Sequence, residues 1–368
     1  ARMDGYAVRA ADVAIGSGQL VVIEEVTAGK VPTRTVEPGQ ATRIMTGAPL
    51  PDGADAVVPV EVTDCTPRVE WETGRPESNL GVVTIRSKPV QSGQSVLAQG
   101  ASIQAGAVLL RHGVELGAQH IGALAELGRA EVSIVRPARV AIIATGDELV
   151  PVEAEPGPGQ IRNSNQEMLA AQIARMGAIP VPLGIARDNA EDLAAKIQAG
   201  LGADVLMLSG GVSAGLLDLV PRTLKEAGVV EVFHKVRLKP GQPLWFGVRP
   251  AGLGHAACAV FGLPGNPVSS MVCCDLFGRM AVRKLQGQTP AVRQPWRVQL
   301  RREFLHKGDR PTYHPAVITA SDVGYRAETV PWVGSADLCA TVAANGVIAF
   351  PAGEIRYPAG SILEAFVW

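Results

Sequence analysis

Three glycine-bearing stretches have the composition of phosphate-binding loops: Thr145-Gly146-Asp147-Glu148, Ser209-Gly210-Gly211-Val212-Ser213-Ala214-Gly215 and Leu263-Pro264-Gly265-Asn266-Pro267. Glycine lets backbone amides approach a phosphate, and the N-terminus of a following helix adds a favourable dipole. Each stretch alone reads equally as an ordinary turn, but three on one edge of a sheet point to a ligand. GxxxxGKS/T, GxGxxG and HExxH are all absent, which removes the ordinary P-loop, the dinucleotide fingerprint and the zinc-protease helix.

Charged residues accompany these loops. Asp147, Glu148, Asp188 and Asp218 each fall at or just past a predicted strand end. Carboxylates beside a phosphate site call for a cation between them, and Mg²⁺ held by one or two carboxylates and phosphate oxygens is the common solution. Helix capping is the alternative for Asp188 and Asp218. Lys235, Arg237 and Lys239 alternate along a predicted strand, Val230 to Leu238, which directs all three to one face and suits an oxyanion or polyphosphate. A solvated edge strand is the competing reading.

Gly211 to Gly215 also satisfies GxSxG, with Ser213 as a hydrolase nucleophile. Its partners would be Asp275 with His306 or His314, an acid inside a predicted helix and a histidine in another domain, so this reading is the weaker one. The six histidines show no ligand spacing. Cys273 and Cys274 lie in an apolar helix, where buried inert thiols are expected.

The elements that must position these residues alternate. Strands are predicted at Ala138 to Ala144, a short continuous apolar run of the kind buried on both faces, and at Ile179 to Ile185, Asp204 to Leu208 and Ala256 to Phe261. Helices are predicted at Asn165 to Met176, behind a Ser164/Glu167 capping box, then at Glu191 to Leu201, about Asp218 to Ala227, and Val268 to about Leu285. That alternation predicts a doubly wound, largely parallel α/β sheet. The first 135 residues are rich in Gly, Pro, Thr and Val, with β-like runs at Gln19 to Val26 and Ala54 to Val62 and a helix at Ala118 to Leu127. Gln294 to Trp368 returns to strands and turns, a separate small β domain.

Composition narrows the class. The 368 residues are 47% hydrophobic and 19% charged with a formal net charge of −1, and 41 glycines and 27 prolines favour loops. The balanced charge leaves no electrostatic footprint for nucleic acid. No apolar run reaches the eighteen or so residues of a membrane helix. Five cysteines without a CxxC pair fit a reducing compartment, and a cytoplasmic location is expected. The chain opens on Ala1 and runs at once into MDGYAV, so residues upstream are expected.

Six motifs now stand in order: MDGYAV (Met3 to Val8), MTGAPLPDGADAVVPVE (Met45 to Glu61), TGDEL (Thr145 to Leu149), SGGVSAG with Asp218, KxxxKPGxP (Lys235 to Pro243) and GLPGNPVS (Gly262 to Ser269). Together they resemble the MoeA family of molybdopterin molybdenumtransferases, related to the C-terminal part of gephyrin, over nearly the whole chain. The resemblance implies an elongated multidomain protein: an α/β molybdopterin-binding domain at 135–288, a mixed α/β dimerisation domain at 1–11 plus 93–134, a β-rich inserted domain at 12–92, and a C-terminal β domain at 289–368. It implies a homodimer with its active site between subunits, and transient contact with the molybdopterin adenylyltransferase. The implied reaction binds adenylylated molybdopterin, cleaves its phosphoanhydride with loss of AMP, and inserts molybdate with Mg²⁺ as cofactor.

Carried over by position, Asp4 and Thr46 would reach the cleft from the partner subunit. Glu148, Asp188 and Asp218 would serve metal and substrate, and Lys235 and Lys239 the anions. Ser209, Gly210, Gly211 and Ser213 would line the substrate loop, Pro264 and Pro267 would shape the pterin loop, and Arg310 and Ser335 would bind oxyanion. Two departures stand out: no acidic residue lies between Ile85 and Gly93, where the family carries a Gly-x-Asp-Ile element, and Asn163 occupies a position where Asp is frequent. The missing acid keeps a second reading open, a catalytically weakened molybdopterin-binding scaffold. The resemblance also implies an N-terminal helical segment, which would precede Ala1 if the start is trimmed.

Overall fold

A computed structural model describes residues 1–67, 80–211, 219–322 and 324–368 of the chain. Its contacts divide into two units, Ala1–Leu109 and Leu110–Trp368.

The first unit is built on six strands: β1 (Gly5–Val8), β2 (Ser17–Val26), β3 (Gln40–Ile44), β4 (Ala56–Pro59), β5 (Thr63–Pro67) and β6 (Gly81–Arg86), in the order β4-β1-β3-β2-β6-β5. Successive side chains of a strand face opposite ways, so Tyr6, Val8, Val22, Val58 and Ile85 join one apolar cluster while Ala7, Val26, Ile44 and Val57 join another. β1 runs antiparallel to β3 with Gly5 opposite Ile44. That register brings the residue before β1, Asp4, beside the residues after β3.

The second unit begins with α1 (Ala118–Glu126), which has no buried residue. The α/β region then runs β7 (Arg139–Thr145), a two-stranded ribbon β8 (Leu149–Val150) and β9 (Ile161–Arg162), α2 (Ser164–Arg175), β10 (Ile179–Ala186), α3 (Ala190–Gly200), β11 (Val205–Ser209), α4 (Leu219–Glu226), β12 (Val230–His234), β13 (Trp245–Arg249), β14 (Cys258–Leu263), α5 (Pro267–Cys273), a π turn at Cys274–Gly278, and α6 (Arg279–Leu285). Sheet order is β10-β7-β11-β14-β13-β12, parallel through β14 and antiparallel in the last two strands. Val140 and Ile142 pack with Leu169 and Ile173 of α2 on one face; Ala141 and Ile143 pack with Leu193 and Ile197 of α3 on the other. Each such large aliphatic side chain contributes roughly 1.5–3 kcal/mol by leaving water, which is why these strands are continuous apolar runs.

The predicted helix starts need correction. Asn163 caps α2 by accepting from the Gln166 amide, so the cap lies one residue before the predicted Ser164. Asn163-x-x-Gln166 fits the same spacing as Ser164-x-x-Glu167. α3 is capped by Asn189, not Asp188, through the Asp192 amide. β13 was not foreseen, and the long helix predicted from Val268 is interrupted by the π turn.

The C-terminal segment closes a barrel from β15 (Trp296–Leu300), β17 (Thr312–Ser321), β18 (Gly324–Thr329), β19 (Gly346–Phe350) and β21 (Ile362–Val367), ordered β15-β18-β17-β19-β21, with β16 (Phe304–Gly308) paired to β20 (Gly353–Tyr357). Val298, Ile318, Ile348, Phe350 and Ala365 fill its interior.

Candidate functional site

The carboxyl ends of β7, β11 and β14 are adjacent, and the three glycine loops leave from them as expected for an open α/β sheet. Asn165, on the first turn of α2, ties the second and third of these loops together. Its Nδ2 donates to Ser209 Oγ at 2.6 Å and to the Gly265 carbonyl at 2.7 Å, and the Gly210 amide donates to the Leu263 carbonyl at 3.1 Å. Gly210 sits at φ +98°, and a Cβ there would lie 2.8 Å from the carbonyl oxygen of Thr145, so only glycine lets these two loops approach. Sequence reasoning passed over Asn165; its place two residues after the helix cap was the available signal.

Behind the third loop, Ser270 Oγ donates to the Pro264 carbonyl, and Pro267 occupies the first turn of α5, where a missing amide hydrogen costs nothing. Asn266 Nδ2 donates to Ser335 Oγ at 2.9 Å, and the Val268 amide to the Ser335 carbonyl at 3.0 Å. Ser335, which belongs to the barrel segment, is therefore joined directly to the Pro264–Pro267 loop.

At the other end of the edge, Asp147 and Asp188 hold each other through main-chain amides. The Asp188 amide donates to Asp147 Oδ1 at 3.2 Å and the Asp147 amide to Asp188 Oδ2 at 3.4 Å. Arg187, also missed from sequence, fixes the same loop by donating to the Asp147 and Leu149 carbonyls. Asp147, Glu148 and Asp188 are exposed, and none has an ion-pair partner among the described residues. They offer only oxygen ligands, the donor set that suits a hard divalent cation. Among the described residues no group of three His, Cys, Asp or Glu side chains lies close enough to hold a metal unaided. Substrate oxygens would have to complete a shell, and Mg²⁺ fits on those terms. Asp218 and Ser213 lie outside the described residues, as do Val212, Ala214 and Gly215.

The cationic stretch differs from expectation. β12 ends at His234, and Lys235 takes φ +71°, so Lys235, Arg237 and Lys239 do not form a row on one strand face. The three are nevertheless exposed while Leu238 and Pro240 are buried, because the chain turns irregularly over the sheet edge. The Arg237 guanidinium donates to the Asp309 carbonyl. The Lys239 amide donates to the Pro311 carbonyl at 2.9 Å, and the Tyr313 amide returns a bond to the Lys239 carbonyl at 2.7 Å. Arg310 Nη1 donates to Gln242 Oε1, and its Nε to Asp309 Oδ1, which holds the Asp309 carboxyl below its ordinary range. Lys239 and Arg310 are thus brought to one seam.

The hydrolase alternative loses its partners. Asp275 is buried in ion pairs with Arg279 and Arg293, and neither His306 nor His314 bonds to it. Burial pushes the Cys258 and Cys274 thiols up to about 12, and Cys273 higher still; Cys273 and Cys274 are buried as expected, and Cys258 joins them.

In the first unit, Thr46 donates to Asp4 Oδ1 from both its amide and its hydroxyl, each at 2.7 Å. Those two bonds lower the Asp4 pKa from its ordinary value.

Three family descriptions match in succession: "MoeA N-terminal region (domain I and II)" over residues 1–128, "Probable molybdopterin binding domain" over 141–284, and "MoeA C-terminal region (domain IV)" over 297–368. A molybdopterin molybdenumtransferase of Nostoc sp. is 38% identical over 84% of this chain and 69% of that relative. One from Bacillus subtilis is 33% identical over 99% of this chain and 82% of its own length. The crystal structure of a molybdopterin biosynthesis MoeA protein from Pyrococcus horikoshii superposes with a TM-score of 0.77 at 26% identity, covering 100% of this chain and 87% of that one. No helix among the described residues is long and apolar enough to cross a membrane. With its fold and sequence both matched from end to end, the chain belongs to the MoeA family of molybdopterin molybdenumtransferases, enzymes of molybdenum cofactor biosynthesis.

Proposed function

We propose that this chain inserts molybdate into adenylylated molybdopterin and releases AMP, the final step of cofactor assembly. The observation that carries the reading is the Asn165 tie: one amide spaces the Ser209–Gly211 and Pro264–Pro267 loops, the second of which also holds Ser335, with exposed carboxylates at one end of the edge and cations at the other. In this reading Ser209, Gly210, Gly211 and Ser213 take the diphosphate through main-chain donors, and Pro264 and Pro267 shape the pterin pocket. Lys235, Lys239, Arg310 and Ser335 bind molybdate and offset the charge on the departing phosphate. Glu148, Asp188 and Asp218 would hold Mg²⁺, which supplies charge neutralisation across the anhydride when bound. Catalysis is positioning plus electrostatics, with no protein nucleophile.

The active form is proposed to be a homodimer in which Asp4 and Thr46 of the partner subunit complete the site. Support comes from α1, whose residues are all at least partly exposed, Ile121 among them, and from the exposed Leu127, Ile134 and Val135 that follow it in the chain. The four-domain division, with the dimerisation domain at 1–11 plus 93–134, belongs to the same proposal, as does a hand-over contact with the adenylyltransferase. Incubation of the protein with adenylylated molybdopterin and Mg²⁺ tests the reaction: AMP should appear only when molybdate is added. Pterin binding without molybdate-dependent AMP release would identify the scaffold instead.

A further inference from the structure

His306 lies on β16, the strand paired with β20 beside the barrel, is 3% exposed, and is bonded on both ring nitrogens: Nδ1 to the Gly353 carbonyl at 2.9 Å and Nε2 to Thr312 Oγ1 at 2.9 Å. A carbonyl can only accept, so Nδ1 carries the hydrogen, and Nε2 is the atom that pairs with the Thr312 hydroxyl. That hydroxyl has one hydrogen; its other neighbour, the Arg310 carbonyl, is farther away at 3.4 Å. The ring lies nearly parallel to Phe350, with an interplanar angle of 10°. Apolar side chains of the same shape could fill this layer at similar stability, so a buried polar chain here fixes direction more than it adds strength.

What it directs is the seam with the α/β domain. Thr312, 4% exposed, forms a parallel bridge with Lys239, flanked by the two main-chain bonds of Pro311 and Tyr313 to Lys239, and Arg310 stands two residues earlier. We propose that His306 is a positioning residue for the oxyanion: through Thr312 it sets the segment that carries Arg310 and locks Lys239 opposite it. The inference rests on the reading of Lys239 and Arg310 as molybdate ligands.

Two pairs of variants test it. Thr312→Val removes the hydroxyl at nearly constant volume, and Thr312→Ser keeps it. His306→Asn keeps a donor at the Nδ1 position and loses the link to Thr312, whereas His306→Gln keeps a polar group near the Nε2 position. In the AMP-release assay, Thr312→Val and His306→Asn should raise the molybdate KM about tenfold, with kcat within about twofold and the KM for the pterin unchanged. Thr312→Ser and His306→Gln should stay within about threefold of the parent. A molybdate KM unmoved by Thr312→Val, or losses in all three parameters that simply follow a lowered Tm, would overturn the inference; the Thr312 pair decides should the His306 variants fail to fold. Lys239→Ala and Arg310→Ala are the controls. If neither moves the molybdate KM, the oxyanion assignment itself is wrong, whereas a rise there with none in Thr312→Val removes only the role of His306.

Discussion

The glycine loops leave β7, β11 and β14, strands buried along nearly their whole length, whereas Lys235, Arg237 and Lys239 leave β12, an edge strand whose first three residues are exposed. In the first region position is inherited from the sheet: once the apolar runs are in register, each loop starts at a defined height, and one amide, Asn165, fixes the spacing of the loops after β11 and β14. In the second region the sheet supplies little. Lys235 is still held by the hairpin, its amide donating to the Leu244 carbonyl, but Arg237 and Lys239 are placed by bonds from outside the sheet, through Asp309, Pro311 and Tyr313. A buried strand positions by packing and an edge strand by borrowed hydrogen bonds, so the two should fail differently.

The largest contrast is chemical. Cys258 ends in the buried sheet and Cys274 in the helix behind the Pro264 loop, and a rise from 9.0 to about 12 leaves about a thousandfold less thiolate. Iodoacetamide should label the exposed Cys65 and Cys339 in the native protein and reach Cys258, Cys273 and Cys274 only after denaturation. Native labelling of the buried three would mean that this region opens readily, and the comparison would collapse.

Next in size, Asn165→Ala should lower the AMP-release kcat about a hundredfold, because loops that drift by an ångström lose their alignment on the substrate. Its cost in stability should be only roughly 1–3 kcal/mol by thermal or urea unfolding. Full turnover in this variant would show that the strands alone set the spacing. At the edge, Arg310→Ala should raise the molybdate KM about tenfold, and Gln242→Ala, which removes the acceptor of Arg310 Nη1, about threefold. No effect of Gln242→Ala would mean that Arg310 needs no outside support.

The smallest effect lies in the first unit. Asp4 is exposed and its pKa is depressed by the Thr46 amide and hydroxyl, so any stability this contributes is present at neutral pH and is lost as pH falls through the native value. Thr46→Val should bring the Asp4 carboxyl, followed by NMR titration, back towards 3.8. No movement would assign the shift to the amide and to Arg43 alone.

Legibility in the sequence follows the same division. The strands Arg139–Thr145, Val205–Ser209 and Cys258–Leu263 were readable because burial on both faces demands continuous apolar runs, and such runs have few other meanings. The cationic stretch was misread because alternating charged and apolar residues fit a strand and an irregular turn over a buried edge equally well. Nothing in the sequence announces φ +71° at Lys235, since neither Gly nor Asn stands there. Asn163 and Ser164 compete for one cap with identical spacing logic, and only the backbone decides. Asn165 and Arg187 act through contacts a hundred or forty residues away, which local pattern cannot record. Ser335 was named from the family resemblance, yet its bond to Asn266 spans 69 residues and was not readable.

The seam at Lys239 is made of main chain: its amide to the Pro311 carbonyl and its carbonyl from the Tyr313 amide. A join of that kind specifies a place without specifying a side chain. Any residue except proline can occupy 239 or 313 and still close it, because proline alone lacks the amide hydrogen. Position 239 is therefore free to be chosen for its charge, and the barrel can vary its surface widely while still delivering its cargo of contacts to the same ångström.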